Sequence, residues 1–183
     1  MIYHYYRKTE APHSLLPSIR EELETRKVAS VQIADVQMEY CFNVQLESGV
    51  SQLDTDHTTK LAWLLAGTFE PQKLGTSSFL ESKGTMEFGP RMTFTSAFSS
   101  NAVSICQACA LPIVRLELSK RYRFVTNNDN DNNNINNSSP LEDQAALALI
   151  KSMLFDRMTE QEYVEPIESF DSGAVAKNVE TIP

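Results

Sequence analysis

Two long stretches of the sequence alternate between apolar and polar residues. In the first, every second residue from Val36 to Leu46 is apolar, and the residues between them are mostly polar. The second runs from Val114 to Phe124, and only Lys120 interrupts its apolar side. A period of two is typical of a β-strand with one buried face. Both segments therefore predict strands of a sheet, with Lys120 marking a bulge or the point where the second strand leaves the core.

Between these strands, apolar residues recur at helical spacing. We expect the third helix to open at one of Ser99, Ser100 and Asn101, and the fourth at the capping box Ser139–Glu142. Shorter strands are predicted at 2–7 and 85–88. The four helices are centred on residues 15–23, 61–65, 102–109 and 141–153.

The predicted order of elements is β-α-β-α-β-α-β-α, and its two halves are similar. We therefore expect an α+β fold built from duplicated β-α-β units, with a mainly antiparallel sheet and helices packed on one face. Between Asn127 and Asn137 the sequence holds eight asparagines, two aspartates and one isoleucine, which predicts a disordered insertion. The expected domains are residues 1–126, an Asn-rich insertion at 127–139, and a helix with the start of a linker at 140–183.

Composition narrows the function classes. The formal net charge of −8 argues against a general nucleic-acid binder. The longest uncharged apolar run, 61–67, is far shorter than the ~20 residues of a membrane helix, and the first residues lack the pattern of a secretion signal. Three cysteines point to a reducing compartment. We therefore expect a cytoplasmic protein without a nucleic-acid or membrane partner.

Few residues suggest catalysis or metal binding. His4, His13 and His57 have no partner at ligand spacing, and we expect them to be surface or cap residues. Cys106 and Cys109 form a CxxC pair near a helix end, where buried structural cysteines are more common than a zinc or redox site. We predict no catalytic residue, no metal ligand and no cofactor within these 183 residues.

The segment 89–101 is the most unusual loop. Its arginine, its hydroxyl and amide groups and a following helix N-terminus suit an anion such as phosphate. The same residues equally suit capping of the helix and anchoring of the loop. The candidate contacts to a substrate phosphate or to a domain interface are Arg91, Thr93, Ser100 and Asn101.

This loop resembles the N-terminal region of the large, single-chain phosphoribosylformylglycinamidine synthases, also called FGAR amidotransferases. Ala110 departs from the family, which commonly has glycine there. Further similar stretches occur in the same order along the chain: 1–7, 39–44, 59–64, 114–117 with 121–122, and 156–161 with 166–167.

The resemblance implies a part in de novo purine biosynthesis. The complete enzymes convert FGAR, glutamine and ATP to FGAM, glutamate, ADP and phosphate, using magnesium, a synthetase domain and a glutaminase domain. The N-terminal domain of these enzymes is similar to a fused dimer of the small subunit of split bacterial versions. The chain would then be a fragment that is inactive alone, with the synthetase and glutaminase domains of the same polypeptide as its partners. The alternative is a free-standing α+β module that dimerises or binds a small anion.

Overall fold

A computed structural model of the chain describes residues 1–28, 33–126 and 143–173. It has an α+β fold, as the sequence predicts. The helices are α1 Leu15–Thr25, α2 Thr55–Leu65, α3 Ala97–Ala108 and α4 Gln144–Leu154. The strands are β1 Ile2–Glu10, β2 Ile33–Leu46, β3 Leu74–Gly75, β4 Thr85–Pro90, β5 Ile113–Thr126 and β6 Glu160–Glu162.

The strands form one six-stranded sheet in the order β3-β1-β2-β5-β4-β6, and all neighbours are antiparallel. The central strands β2 and β5 each have 14 residues. Their pairing is symmetric, because the first residue of each strand lies opposite the last residue of the other: Ile33 opposite Thr126, and Ile113 opposite Leu46. The chain therefore contains two β-α-β-α-β units, β1 to β3 and β4 to β6, arranged symmetrically about the β2–β5 pair.

Two hydrophobic clusters lie on the same face of the sheet, since both use the even-numbered residues of β2 and β5, apart from Ile33 and Ile113 beyond the register shifts at the strand ends. The first cluster contains Ile19 of α1 and Ile150 of α4, and the second contains Leu61 of α2 and Cys106 of α3. Each cluster thus takes one helix from each unit. Because α4 packs in the first cluster and β6 pairs with β4, these elements belong to the same sheet-and-helix fold, and the predicted domain boundaries stay predictions.

Lys120 does not mark a bulge. It lies directly opposite Tyr40 in regular pairing, and the register shifts occur only near the ends of β2. Its ammonium group instead contacts Glu160 at 3.1 Å, and neither hydrophobic cluster includes it. The interruption in the apolar pattern therefore marks the gap between the two clusters.

The predicted start of α3 is wrong by a few residues. The helix begins at Ala97, and the side chain of Ser96 caps it by accepting a hydrogen bond from the Ser99 amide. The apolar pattern misplaced this start because the first helical residues, Ala97 and Phe98, are exposed. The capping box Ser139–Glu142 and the Asn-rich tract lie outside the described residues, and the described α4 is capped by Asp143.

Two strands were absent from the sequence prediction. β3 has two residues and β6 has three, Glu-Gln-Glu, so neither is long enough or apolar enough to give a pattern. Among residues 1–28, 33–126 and 143–173, no helix has the length and apolar content needed to cross a membrane.

Candidate functional site

The loop between β4 and α3 is fixed at three points. Arg91 donates from its guanidinium to the Arg157 carbonyl at 2.6 Å, and its own amide donates to the Thr159 carbonyl. Arg115 of β5 donates to the carbonyl of Phe94. These bonds hold the loop against β5 and against the turn that precedes β6.

The third anchor is a buried carboxylate. Glu117 of β5 has no exposed surface, and it accepts hydrogen bonds from both the hydroxyl and the amide of Ser96. Its other contact is an ion pair with Arg115 at 3.0 Å. Ser96 therefore caps α3 with one lone pair while its hydroxyl proton is held by Glu117. Sequence reasoning missed Ser96 and Glu117, although a serine three residues before Ser99 is an ordinary capping signal.

The four predicted loop residues do not converge on one point. Thr93, Ser100 and Asn101 have exposed side chains, and Ser100 bonds the Ser96 carbonyl within the first turn of α3. Arg91 is also exposed, yet its guanidinium is engaged by the Arg157 carbonyl. Within the described part of the chain, the geometry of this loop is that of an anchored, capped turn.

Gly89, in the same segment, is required by a close approach. The ring of Tyr163 lies against it so tightly that a Cβ would be 2.6 Å from a ring carbon. The Tyr163 hydroxyl donates to the Pro90 carbonyl at 2.6 Å, and its amide donates to the Glu87 carbonyl. Residues 156–163 thus close over the start of the loop from the edge of the sheet.

The sheet face opposite the helices carries a buried layer of polar groups, here called the polar layer: Glu39, Cys41, Asn43, Glu87, Glu117, Ser119 and Arg121. Glu39, Asn43, Glu117 and Ser119 are completely buried. The alternating strands were expected to have one buried face, and this part of that expectation is wrong. Polar residues are buried here because they find hydrogen-bond or ion-pair partners within the layer and in the neighbouring loops, as buried polar groups must.

An ion-pair cluster lies at the centre of the polar layer. Arg121 contacts Glu39 through Nη1, and its Nε lies 3.1 Å from Glu87 without the alignment of a hydrogen bond. The loop after β3 covers this cluster, since the hydroxyl of Ser78 and the amide of Phe79 both donate to Glu39. The guanidinium of Arg121 also lies 5.0 Å from the centre of the Tyr6 ring.

A chain of hydrogen bonds runs from this cluster to β1. Ser119 donates to Glu87 and accepts from Asn43, and the Asn43 carbonyl oxygen lies 2.8 Å from a ring nitrogen of His4. His4 is therefore a partner in the polar layer rather than a surface residue. Burial raises the pKa of the Glu87 carboxyl and of the Cys41 thiol, so Cys41 stays protonated at neutral pH.

The remaining candidates for chemistry have structural positions. His57 lies in the first turn of α2, where its amide donates to Asp54. Cys106 is buried and Cys109 forms the C-cap of α3, as expected for structural cysteines. In the described ranges, His, Cys, Asp and Glu side chains do not assemble into a group able to hold a metal ion.

Several of the stretches that carry the family resemblance meet at the polar layer. The segment 39–44 supplies Glu39 and Asn43, the segment 114–117 supplies Glu117, and Arg121 follows it on the same strand. The sequence model described as "Formylglycinamide ribonucleotide amidotransferase N-terminal" matches residues 39–169. The chain belongs to this family.

Curated relatives agree with this assignment. A "probable phosphoribosylformylglycinamidine synthase, chloroplastic/mitochondrial" of Arabidopsis thaliana is 35% identical over the whole chain, and the synthase of Dictyostelium discoideum is also 35% identical over the whole chain. The human synthase is 29% identical over 92% of the chain. The chain spans only 12% to 13% of the length of these relatives. Among them, the plant protein alone is named with a compartment.

Proposed function

We propose that this chain acts as the N-terminal structural domain of a phosphoribosylformylglycinamidine synthase. In this proposal the complete polypeptide converts FGAR, glutamine and ATP to FGAM, glutamate, ADP and phosphate in purine biosynthesis. The observation that carries it is the family match over residues 39–169 together with relatives that align over the whole chain. ATP and magnesium would bind in other domains, and a cytoplasmic location remains part of the proposal.

The geometry favours a structural role for this domain over a catalytic one. Arg121 in the polar layer is engaged by carboxylates, and the loop at 91–96 is held by backbone carbonyls and Glu117. A free-standing anion-binding module is not favoured, because the match to the synthases extends over the whole chain.

The duplicated topology supports a second part of the proposal, that the domain resembles a fused dimer of a smaller subunit. Beyond the reciprocal pairing of β2 and β5, α1 and α3 end in the same way. The amide of Val28 donates to the Leu23 carbonyl after α1, and the amide of Leu111 donates to the Cys106 carbonyl after α3. Both are the long hydrogen bond of a Schellman motif.

The test of the main proposal compares two proteins. The complete polypeptide should form FGAM from FGAR, glutamine and ATP, whereas the 183-residue chain should form none. FGAM formation by the 183-residue chain, or a native gene that stops directly after Pro183, would refute the proposal.

The role of Arg91 at the loop is tested in the complete enzyme. In this proposal the Arg91 guanidinium contacts FGAR or the synthetase domain in addition to anchoring the loop to residue 157. Arg91→Ala should therefore raise the KM for FGAR or lower kcat by about tenfold or more, as expected for the loss of a charged hydrogen bond, while glutaminase activity measured alone stays largely intact. A change confined to the KM for FGAR indicates a phosphate contact, and a fall in kcat indicates a domain interface. Arg26→Ala, which removes an exposed ion pair on α1, is the control. Unchanged kinetics with normal stability would leave Arg91 as a loop anchor only.

A further inference from the structure

Charged residues are missing from one continuous part of this acidic chain. No Asp, Glu, Lys or Arg occurs between Arg91 and Arg115, although such residues make up 22% of the sequence. The whole of α3 lies in this segment, and much of its surface is exposed. By contrast α1, the corresponding helix of the first unit, has charged residues at positions 20, 21, 22 and 24. A solvated helix face normally carries such charges.

The apolar part of this surface is concentrated on one flank of α3. Phe98 is 39% exposed and Ile105 is 53% exposed. They are seven residues apart, so they lie two turns apart on the same side of the helix, with Asn101 between them. We call Phe98, Asn101 and Ile105 the neutral flank. Gln107 is exposed on the opposite side of the helix.

Trp63 on α2 provides a useful contrast. It is 78% exposed, but Lys60 and Asp56 lie one and two turns before it and form an ion pair at 2.6 Å. A single aromatic residue beside exposed charges is ordinary protein surface. The neutral flank has no such charges on its own helix.

The contacts of Phe170, near the end of the described residues, indicate which part of the polypeptide covers the neutral flank. The guanidinium of Arg115 holds the Phe94 carbonyl, two residues before the cap of α3, and lies 4.4 Å from the centre of the Phe170 ring. The segment that continues through Phe170 therefore passes beside the start of α3. The curated relatives are about eight times as long as this chain, since it spans 12% to 13% of them.

We propose that the neutral flank of α3 packs against the part of the same polypeptide that follows residue 183. This inference rests on the proposed function, because it requires that the synthase continues beyond this domain. The surface that meets the flank should be apolar and uncharged, since an unpaired charge buried against Phe98 and Ile105 is unfavourable.

The test measures cysteine accessibility at two matched positions. Ile105→Cys places a thiol on the neutral flank, and Gln107→Cys places one on the opposite side of the same helix. Both are made in a Cys109→Ser background, and labelling by a small maleimide is localised by mass spectrometry. Each variant is labelled in the 183-residue chain and in the complete polypeptide.

We expect labelling at position 105 to be at least tenfold slower in the complete polypeptide than in the 183-residue chain, and labelling at position 107 to change less than twofold. Equal rates at position 105 in the two proteins would overturn the inference. Slow, concentration-dependent labelling of position 105 in the 183-residue chain would assign the flank to a second copy and would also overturn it. If the complete polypeptide forms no FGAM, the proposed function fails, whatever the labelling shows.

Discussion

The two units of this domain share a topology but place their charges differently. Counted along their strands, Cys41 is the ninth residue of β2 and Arg121 is the ninth residue of β5. Their neighbours correspond as well, because Tyr6 pairs with Cys41 and Glu87 pairs with Arg121. The first unit thus has uncharged groups where the second has a buried ion pair. On the helices the pattern is reversed, since α1 is charged and α3 is not. The shared backbone therefore does not require charge at either place.

The largest expected effect comes from Arg121→Ala. It leaves the buried carboxylates of Glu39 and Glu87 without their cation, and the loss of one partner of a buried ion pair costs about 3–5 kcal/mol. Cys41→Ala, at the corresponding position of the first unit, should cost about 1 kcal/mol, as expected for the loss of a small buried group. Urea unfolding of both variants measures the difference. If both variants lose the same free energy of unfolding, the buried ion pair does not stabilise the second unit more than the uncharged groups stabilise the first.

The next prediction tests whether the two hydrophobic clusters, each of which contains helices from both units, unfold together. Leu61→Ala and Ile150→Ala remove fully buried side chains from corresponding helices, α2 and α4. Each should lower the free energy of unfolding by about 2–5 kcal/mol. Because each cluster contains helices from both units, both variants should unfold in one transition when followed by circular dichroism and by near-ultraviolet absorbance. Two separated transitions would instead indicate independent clusters.

A smaller effect depends on pH. Burial raises the pKa of Glu87 above its ordinary value of 4.5, so ionised Glu87 destabilises the folded chain. This destabilisation is absent below the pKa that Glu87 has in the unfolded chain. It develops as the pH rises through the higher pKa that Glu87 has in the folded chain. Glu87→Gln should therefore gain stability relative to the wild type as the pH is raised from 4 to 8. The gain should be about 1.4 kcal/mol for every pH unit that separates the folded pKa from the unfolded pKa.

Tyr6→Phe is the control at the corresponding position of the first unit. Burial raises the pKa of Tyr6 to about 12, so this side chain does not titrate between pH 4 and 8. Its stability should follow the wild-type pH dependence throughout that range. A Glu87→Gln curve that also runs parallel to the wild type would contradict the role assigned to Glu87.

The smallest effect should be equal in the two units. Lys27 after α1 and Ala110 after α3 both have a positive φ, 52° and 57°, in the left-handed region that favours glycine. Lys27→Gly and Ala110→Gly should each stabilise the chain by about 1 kcal/mol, which raises Tm by roughly 2–4 °C. If calorimetry shows a rise in Tm for only one of the two variants, the ends of α1 and α3 are not equivalent.

The regular parts of the fold were predictable from the sequence. Alternation located β2 and β5, and helical spacing located all four helices, because each of these elements directs a periodic row of apolar side chains into the hydrophobic clusters. The burial of the polar layer was not predictable in the same way. Glu39 and Asn43 occupy positions that alternation assigns to solvent, and only the long-range partners Arg121 and Ser119 make their burial favourable. The resemblance did identify the stretches that contain these residues, although not their shared location.

The candidate loop shows a similar division. Composition singled out the segment 89–101, and the structure places it at the junction of β4, β5 and the turn before β6. The residues that fix the loop, Glu117 and Arg115, are distant in sequence, so no local pattern indicates them. Ser96 could have been found from its capping position, but the exposed first turn of α3 concealed the start of the helix.

The exchange of helices between the two clusters has a consequence for any attempt to divide this protein. A cut in the connection between β3 and β4 would give two pieces. Each piece would hold one helix from each of the two clusters and would lack the second helix that completes each cluster. Such pieces should be poorly folded when separate and should recover their structure only when mixed.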